Sequence, residues 1–329
     1  MSKVISVQDN YHENLSKALG KFNFERFRNK KVLIKVHVGE LGNKWYVDPK
    51  IVKVVVDKLK EINAEPFLYD TLVLYTSPRA IKTGHKLVAK KHGFTSLGCP
   101  FVVGDKGKEI DVEGFKFEIA QEVLDTDYMI VVSHGKGHGG SGFGGAIKNV
   151  GMGCVSKKCK RVVHSEISVP AVDEEKCILC GTCERVCEQE AIKVDEEWRI
   201  KSGLCVGCGE CIKNCPQKAL DYKEESLNHM LAYAAKAATK HMKEILYINV
   251  LLKITKNCDC ATNALPIICD DVGILVSGDM LAIDQASIDL IERKMGRTFQ
   301  DIHQVDPLDQ VRTGEKIDLG SSEYSLTKM

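Results

Sequence analysis

The sequence lacks the features of exported and membrane-spanning proteins. No apolar run approaches the roughly 18 residues that a bilayer requires, and Met1 to Asp9 do not show the charged-then-apolar pattern of a secretion signal. An excess of charge of one sign is also lacking, because 46 Lys and Arg residues oppose 45 Asp and Glu residues. We therefore expect a globular cytoplasmic protein that binds neither nucleic acid nor a membrane.

What the sequence does contain is enough chain for about two domains and a large core, with 329 residues of which 44% are hydrophobic. Predicted strands alternate with helices up to residue 133 and again from about residue 227, which predicts one α/β host domain with a largely parallel sheet. Residues 171–222 interrupt this pattern. We expect them to form a small α+β insert between the first (1–170) and second (223–329) parts of the host.

Local signals place several host elements. Residues 31–39 and 127–133 read as strands, a helix begins at Asp48-Pro49, and alternation around Glu113-Gly114 predicts a hairpin. A helix is predicted from about Ser77-Pro78 to residue 93, a strand over residues 245–254, and a further helix from Asp279. Beyond Asp306 the periodicity is weak, and we expect a loop-like tail.

The insert holds eight of the 14 cysteines, in an internal repeat of 28 residues. In each half, cysteines spaced x2, x2 and x3 are typical of [4Fe-4S] ligation, where the first three bind one cluster and the fourth binds the other. Cluster one is then expected to bind Cys177, Cys180, Cys183 and Cys215, and cluster two Cys205, Cys208, Cys211 and Cys187. The alternative is a pair of zinc sites, which would not need the third cysteine of each run.

The insert resembles the bacterial-type two-[4Fe-4S] ferredoxins over about 50 residues. The resemblance includes Pro216 after the last cysteine, whereas Glu188 stands where the first motif would have a proline. We expect Gly181, Gly207 and Gly209 to let backbone amides approach the cluster sulfurs, which tunes the reduction potential.

Residues 134–153 of the host contain nine glycines and follow a predicted strand. They fit a dinucleotide fingerprint only by letter, and Asn149 after Lys148 excludes a Walker loop. Exposed amides and flanking cations instead predict a site for an anion or a cofactor phosphate. The expected binding residues are Gly140, Gly142, Gly144, Gly145 and Lys148. The alternative is a tight turn that packs against the insert.

Cys258 and Cys260 are the strongest candidates among the remaining cysteines. They follow a predicted strand, so they are expected at the carboxyl edge of the sheet, and their x1 spacing points both thiols one way and Asp259 the other. We expect a redox or metal site there, with His134 and Lys148 as further catalytic candidates; the alternative is two buried thiols without chemistry. The lysines around Cys154 and Cys159 are expected to favour their thiolates.

The order of these landmarks resembles the iron–sulfur members of the family called domain of unknown function 362. The resemblance rests on residues 35–40, 142–154, His164, the insert, and the segments 257–260 and 271–274. It implies an electron-carrying protein but names no substrate. We expect an oxidoreductase that passes single electrons through the two clusters to a site in the host, where a flavin or an additional metal could also bind. The expected partners are a ferredoxin or a reductase and an anionic small molecule. The alternative is a non-enzymatic electron carrier or a protein that handles metal or iron–sulfur clusters.

Overall fold

A computed structural model describes all residues of the chain, 1–329. Its strands are β1 (Ser2–Val7), β2 (Lys31–Lys35), β3 (Glu65–Thr71), β4 (Phe101–Gly104), β5 (Gly107–Val112), β6 (Phe115–Ala120), β7 (Tyr128–His134), β8 (Lys136–His138), β9 (Gly142–Gly144), β10 (Pro170–Val172), β11 (Ile192–Val194), β12 (Trp198–Ile200), β13 (Leu220–Tyr222), β14 (Glu244–Leu251), β15 (Ile254–Thr255), β16 (Ile267–Cys269), β17 (Gly273–Ser277) and β18 (Tyr324–Lys328).

The α-helices are α1 (Tyr11–Leu19), α2 (Pro49–Glu61), α3 (Lys82–Lys91), α4 (Gln121–Leu124), α5 (Ala146–Gly153), α6 (Lys157–Val162), α7 (Thr182–Arg185), α8 (Glu210–Lys213), α9 (Leu227–Thr239), α10 (Met280–Met295), α11 (Phe299–His303) and α12 (Asp309–Lys316). None of them is both long and apolar enough to cross a membrane.

Eight strands form the central sheet, in the order β18-β1-β17-β14-β7-β2-β3-β4. All neighbouring pairs are parallel except those of β17, which runs antiparallel to both β1 and β14. Alternate strand residues feed two hydrophobic cores, one on each face of the sheet. The host is therefore mixed α/β with a largely parallel sheet, which confirms the predicted class.

Local chemistry explains several elements. The carboxylate of Asp48 accepts the Lys50 amide and begins α2, and Asp279 accepts two amides at the start of α10. Glu113 and Gly114 both have positive φ between β5 and β6, as a tight two-residue hairpin requires. These predictions are confirmed.

Three expectations need correction. The helix predicted from Ser77 is divided into a 3-10 turn, Pro78–Ala80, and α3, because Ile81 is extended. The strand predicted over residues 245–254 ends at Leu251, because Lys253 turns the chain with φ 53°. The tail is not loop-like: it contains α12 and then β18, which pairs with β1 as the edge strand of the sheet. An edge strand is half exposed, so it lacks the apolar periodicity that would reveal it.

Residues 171–222 lie between β10 and β13, which pair antiparallel and so bring the two ends of this segment together. The backbone keeps the 28-residue repeat of the sequence. A positive-φ glycine precedes α7 (Gly181) and α8 (Gly209) alike, and the positive φ of Leu179 recurs at Gly207. Buried side chains of both halves form a small core of their own.

Candidate functional site

A polar cavity of about 660 Å³ lies at the carboxyl ends of β2, β3 and β7, beside the loop that follows β15. This is the edge where parallel sheets place their ligands. Its charged and sulfur-bearing lining residues include Lys35, His37, Asp70, Arg79, His134, Lys136, His138, Lys148, Lys160, His164, Glu188, Cys205, Cys208, Cys258, Asp259 and Cys260. The cavity thus brings together the glycine-rich segment, the Cys258–Cys260 loop and the second cysteine motif.

The two cysteine sets of the insert are grouped across the repeat. A small cavity is lined by Cys177, Cys180, Cys183 and Cys215. In the other set, burial and then the nearby thiols of Cys208, Cys205 and Cys187 raise the pKa of Cys211 to about 12. Cys187 also raises the pKa of Cys205 and Cys208, after burial as the main cause. The fourth cysteine of each half therefore lies with the first three of the other half.

Backbone amides approach the sulfurs at matching positions. Cys187 Sγ accepts the Ala191 amide at 3.3 Å, and 28 residues later Cys215 Sγ accepts the Ala219 amide at 3.3 Å. The amide of Gly207 donates to Cys205 Sγ at 3.4 Å. Such hydrogen bonds stabilise thiolate charge.

The host holds the second cysteine motif directly. After α6 the chain forms a π-helical turn, Val163–Ile167, from which the His164 Nδ1–H donates to the Val206 carbonyl (2.7 Å) and the Ser165 hydroxyl to the Cys205 carbonyl (3.0 Å). On the other side, a Cβ on Gly140 would lie 3.4 Å from Cys208 Cα. At Gly140 the glycine-rich segment is therefore also a close packing turn against the insert.

The loop after β15 presents Cys258 and Cys260 to the cavity, where their sulfurs form a disulfide. The carboxylate of Asp259 is taken by other groups: His134 Nδ1 at 2.9 Å and the Lys136 ammonium at 3.5 Å. The structure therefore brings the two cysteines together as their spacing predicted. Cys258 is buried and Cys260 is partly exposed.

His138 lies beside the Cys258–Cys260 loop. One of its ring nitrogens and the two sulfurs of Cys258 and Cys260 all lie within 4.8 Å of one another. The amide of Ser141 donates to its Nδ1 at 3.1 Å. Burial and the nearby charges of Lys148 and Lys136 hold the pKa of His138 well below 6.5, so the ring is neutral.

Lys148, on α5, is the cation of the cavity that has no partner. Its ammonium makes no hydrogen bond or ion pair within the chain, although it lines the cavity. Burial first, and then the charge of Lys136, lower its pKa from 10.5 to about 7. A largely buried ammonium without an acceptor is costly, and an anion in the cavity would supply one.

Further cations come from elements that the sequence did not connect with the site. Arg79 is buried and donates to Asp70 at 3.0 Å, and Lys35 Nζ donates to Asp70 at 3.1 Å. Lys160 on α6 donates only to neutral oxygens, those of Thr71 and Leu72, and burial lowers its pKa to about 7. Lys35 is a charged residue at the end of β2, between apolar Ile34 and Val36, and this is the one signal in the sequence that could have revealed this group.

Several predicted roles change. The amides of Ala146 and Ile147 are not free to bind an anion, because the buried carboxylate of Asp284 accepts both, at 2.7 and 2.9 Å. Gly140, Gly144 and Gly145 line the cavity, but Gly142 packs against Val305 and Pro307 instead.

The predicted roles of three side chains are also limited by their surroundings. Both ring nitrogens of His134 are occupied, by Asp259 and by the Leu252 carbonyl, so proton transfer from His134 would break one of these bonds. The expectation of thiolates at Cys154 and Cys159 is wrong, because burial raises their pKa values to about 12 and about 11.

Fold and site together define an α/β protein with a cation-rich cavity at the carboxyl edge of its sheet and a cysteine-rich segment at the cavity's rim. The chain belongs to the family described as Domain of unknown function (DUF362), whose model matches residues 32–289. No curated protein matches the chain.

Solved structures show a distant likeness. The lactate racemase apoprotein from Thermoanaerobacterium thermosaccharolyticum is 15% identical, with a TM-score of 0.40 over 76% of this chain and 51% of that one. A protein from Thermotoga maritima is 12% identical, with a TM-score of 0.41 over 73% of this chain and 50% of that one. The chain thus spans about half the length of these structures, and a likeness this weak supports no inference about function.

Proposed function

We propose that this chain is an iron–sulfur redox protein, an oxidoreductase in which two [4Fe-4S] clusters bound by residues 171–222 pass single electrons to the host cavity. One observation carries the proposal. Cys205 and Cys208, two expected ligands of cluster two, line the same cavity as Cys258, Cys260 and Lys148. Electrons leaving that cluster would therefore reach the cavity, where we expect a substrate to bind.

The donor sets fit the clusters. Cubane ligation needs four thiolates per cluster, and each of the two groups of cysteines contains three from one motif and one from the other. Crowded thiols resist ionisation, whereas bound iron favours the thiolate. The clusters would supply one-electron transfer. The chain supplies the surrounding amides, of which the Ala191 and Ala219 amides already donate to sulfur.

The cavity is suited to an anionic substrate. Its lining contains five Lys and Arg side chains and three carboxylates, and Lys148 has no acceptor within the chain. The ion pairs of Arg79 and Lys35 with Asp70 fix the cavity wall, which leaves Lys148 and Lys160 to meet the substrate. Cys258 and Cys260 line the same cavity.

The clusters are tested first by metal analysis and spectroscopy of anaerobically purified protein. We expect about eight irons per chain and the broad absorption of cubanes. Zinc in place of iron would refute the proposal. Separate flavin bands in the same spectrum would show that the protein also binds a flavin.

The role of the cavity is tested by a double variant, Cys258→Ser with Cys260→Ser. It should keep both clusters yet lose electron transfer to an acceptor in the cavity. The matched control is Cys99→Ser, since Cys99 is an unpaired cysteine outside the cavity. If the double variant transferred electrons as fast as the wild type to every acceptor tested, the chain would be a carrier and not an enzyme acting at this cavity.

A further inference from the structure

The Cys258–Cys260 disulfide is unusual in its setting. All twelve other cysteines of the chain are unpaired, and only one residue, Asp259, separates this pair. A disulfide stabilises a fold mainly by closing a long loop of the unfolded chain, so a bond across one intervening residue gives close to the smallest gain. Its position in the cavity wall therefore points to chemistry more than to stability.

The hydrogen bonding of His138 distinguishes a metal site from a thiol site. Its Nδ1 accepts the Ser141 amide, so in a neutral ring the proton is on Nε2. A histidine that binds a metal through Nε2 instead carries its proton on Nδ1 and donates it to an acceptor. In the neutral ring Nε2 carries the proton, and one ring nitrogen lies within 4.8 Å of both sulfurs, so His138 borders the Cys258–Cys260 pair.

We propose that Cys258 and Cys260, with His138 beside them, form a redox-active disulfide whose reduced form reduces small anionic disulfides entering the cavity. Cys260 is partly exposed and would attack the substrate, while the buried Cys258 would resolve the mixed disulfide. The proposal deepens the proposed function, on which it rests for the source of its electrons. Two one-electron clusters match the two electrons that a disulfide needs.

The chemistry balances in two stages. Two electrons, one from each cluster, and two protons from solvent break the Cys258–Cys260 bond and give two thiols, of which the attacking one ionises. The Cys260 thiolate then attacks one sulfur of the substrate disulfide and releases the first substrate thiolate. The Cys258 thiolate attacks Cys260 Sγ, which restores the original disulfide and releases the second. In sum, one substrate disulfide, two electrons and two protons give two substrate thiols.

The first experiment is an anaerobic reductive titration of the holoprotein, followed by alkylation and mass spectrometry. The wild type should take up about four electrons per chain, two for the clusters and two for the disulfide, and only then become alkylated at Cys258 and Cys260. The Cys258→Ser, Cys260→Ser variant should take up about two, and Cys99→Ser about four. Uptake of two electrons by the wild type would overturn the proposal.

The second experiment uses protein reduced with a phosphine, so it does not depend on the clusters. Dithiobis-nitrobenzoate, a dianionic disulfide, should release two thiolates per chain in a rapid phase and regenerate the Cys258–Cys260 bond. Lys148→Met should slow the reaction with this dianion more than it slows the reaction with neutral dithiodipyridine. His138→Ala should slow the rapid phase and shift its pH profile upward, and His138→Gln, which keeps an N–H donor, should restore it in part.

The outcomes separate the two proposals. If iron is missing but the rapid phase is present, the iron–sulfur function fails and the dithiol chemistry stands. If both clusters are present but the phosphine-reduced protein shows no rapid phase, the dithiol proposal fails alone. A non-iron metal that is bound by reduced wild type and lost in the double cysteine variant would also overturn it, in favour of a Cys2His metal site.

Discussion

Replacing Lys148 with methionine is expected to weaken anion binding in the cavity by about 10- to 150-fold. The charged form of Lys148 is disfavoured in the empty cavity, as its pKa of about 7 instead of 10.5 shows. Since each pKa unit corresponds to 1.36 kcal/mol, keeping the ammonium charged there costs about 5 kcal/mol relative to water. An anion that pairs with it recovers part of this cost, and a hydrogen bond to a charged group is worth about 1.5–3 kcal/mol net, which gives the stated range.

The sign of the pH dependence follows from the same pKa. Below about pH 7 Lys148 is already protonated in the free protein and pairs directly with the anion. Above pH 7 it must first take up a proton, so the affinity should fall by up to about tenfold per pH unit. Lys136, Asp259, Lys35 and Arg79 also face Lys148, and none of these charges is altered by the substitution.

The assay is isothermal titration calorimetry with phosphate and with a small carboxylate, in two buffers of different ionisation enthalpy. In the wild type above pH 7 the two buffers should reveal proton uptake on binding, and in Lys148→Met this uptake should shrink to the share due to Lys160. Lys158→Met is the matched control, because Lys158 is exposed and lies outside the cavity. Equal affinity and equal proton uptake in wild type and Lys148→Met would refute the reasoning.

Two further substitutions test other parts of the chain. Cys187→Ala should damage the cluster held mainly by the second cysteine motif, and Cys177→Ala should damage the cluster held mainly by the first. Electron paramagnetic resonance distinguishes the two clusters. If Cys187→Ala lost only the first motif's cluster, the crossed grouping of ligands would be wrong. His229, whose pKa is raised from 6.5 to about 9 chiefly by its hydrogen bond to Asp309, stabilises the fold fully below pH 6.5 and loses this effect as the pH rises through 9. Because His229 is partly exposed, His229→Gln should lower the free energy of unfolding by only about 1 kcal/mol at pH 6 and by almost nothing at pH 10, as measured in urea titrations. His241 is the control, since its ring bonds only a carbonyl. His241→Gln should change the free energy of unfolding equally at both pH values.

The sequence predicted those elements whose signals are local. Buried β-branched runs gave the inner parallel strands, and Asp48 and Asp279 marked the starts of α2 and α10. It did not predict β1 or α1, and it missed the edge strand β18, whose partner β1 lies some 300 residues away in the chain. Strand pairing at such a separation depends on tertiary packing, which no local pattern encodes.

The candidate site likewise contains residues that the sequence could predict and residues that it could not. The cysteine repeat, Lys148 and the Cys258–Cys260 pair have signatures in adjacent residues, so they could be named in advance. Arg79, on a 3-10 turn, and Lys160, on α6, could not, because no local pattern marks them and only the tertiary fold brings them to the cavity. The sequence also could not show that the Ala146 and Ile147 amides are occupied, because Asp284, which accepts both, lies 138 and 137 residues further along the chain.

The pairing of β10 with β13 has a consequence for how this protein could be engineered. Pro170 and Tyr222 face each other across an antiparallel ladder, so the chain leaves the host and returns to it at one point. A two-residue turn could join these strands without moving any strand of the central sheet. The cysteine-rich segment could therefore be exchanged: another segment could be grafted between Pro170 and Tyr222, provided that it offers the backbone carbonyls that now accept hydrogen bonds from His164 and Ser165.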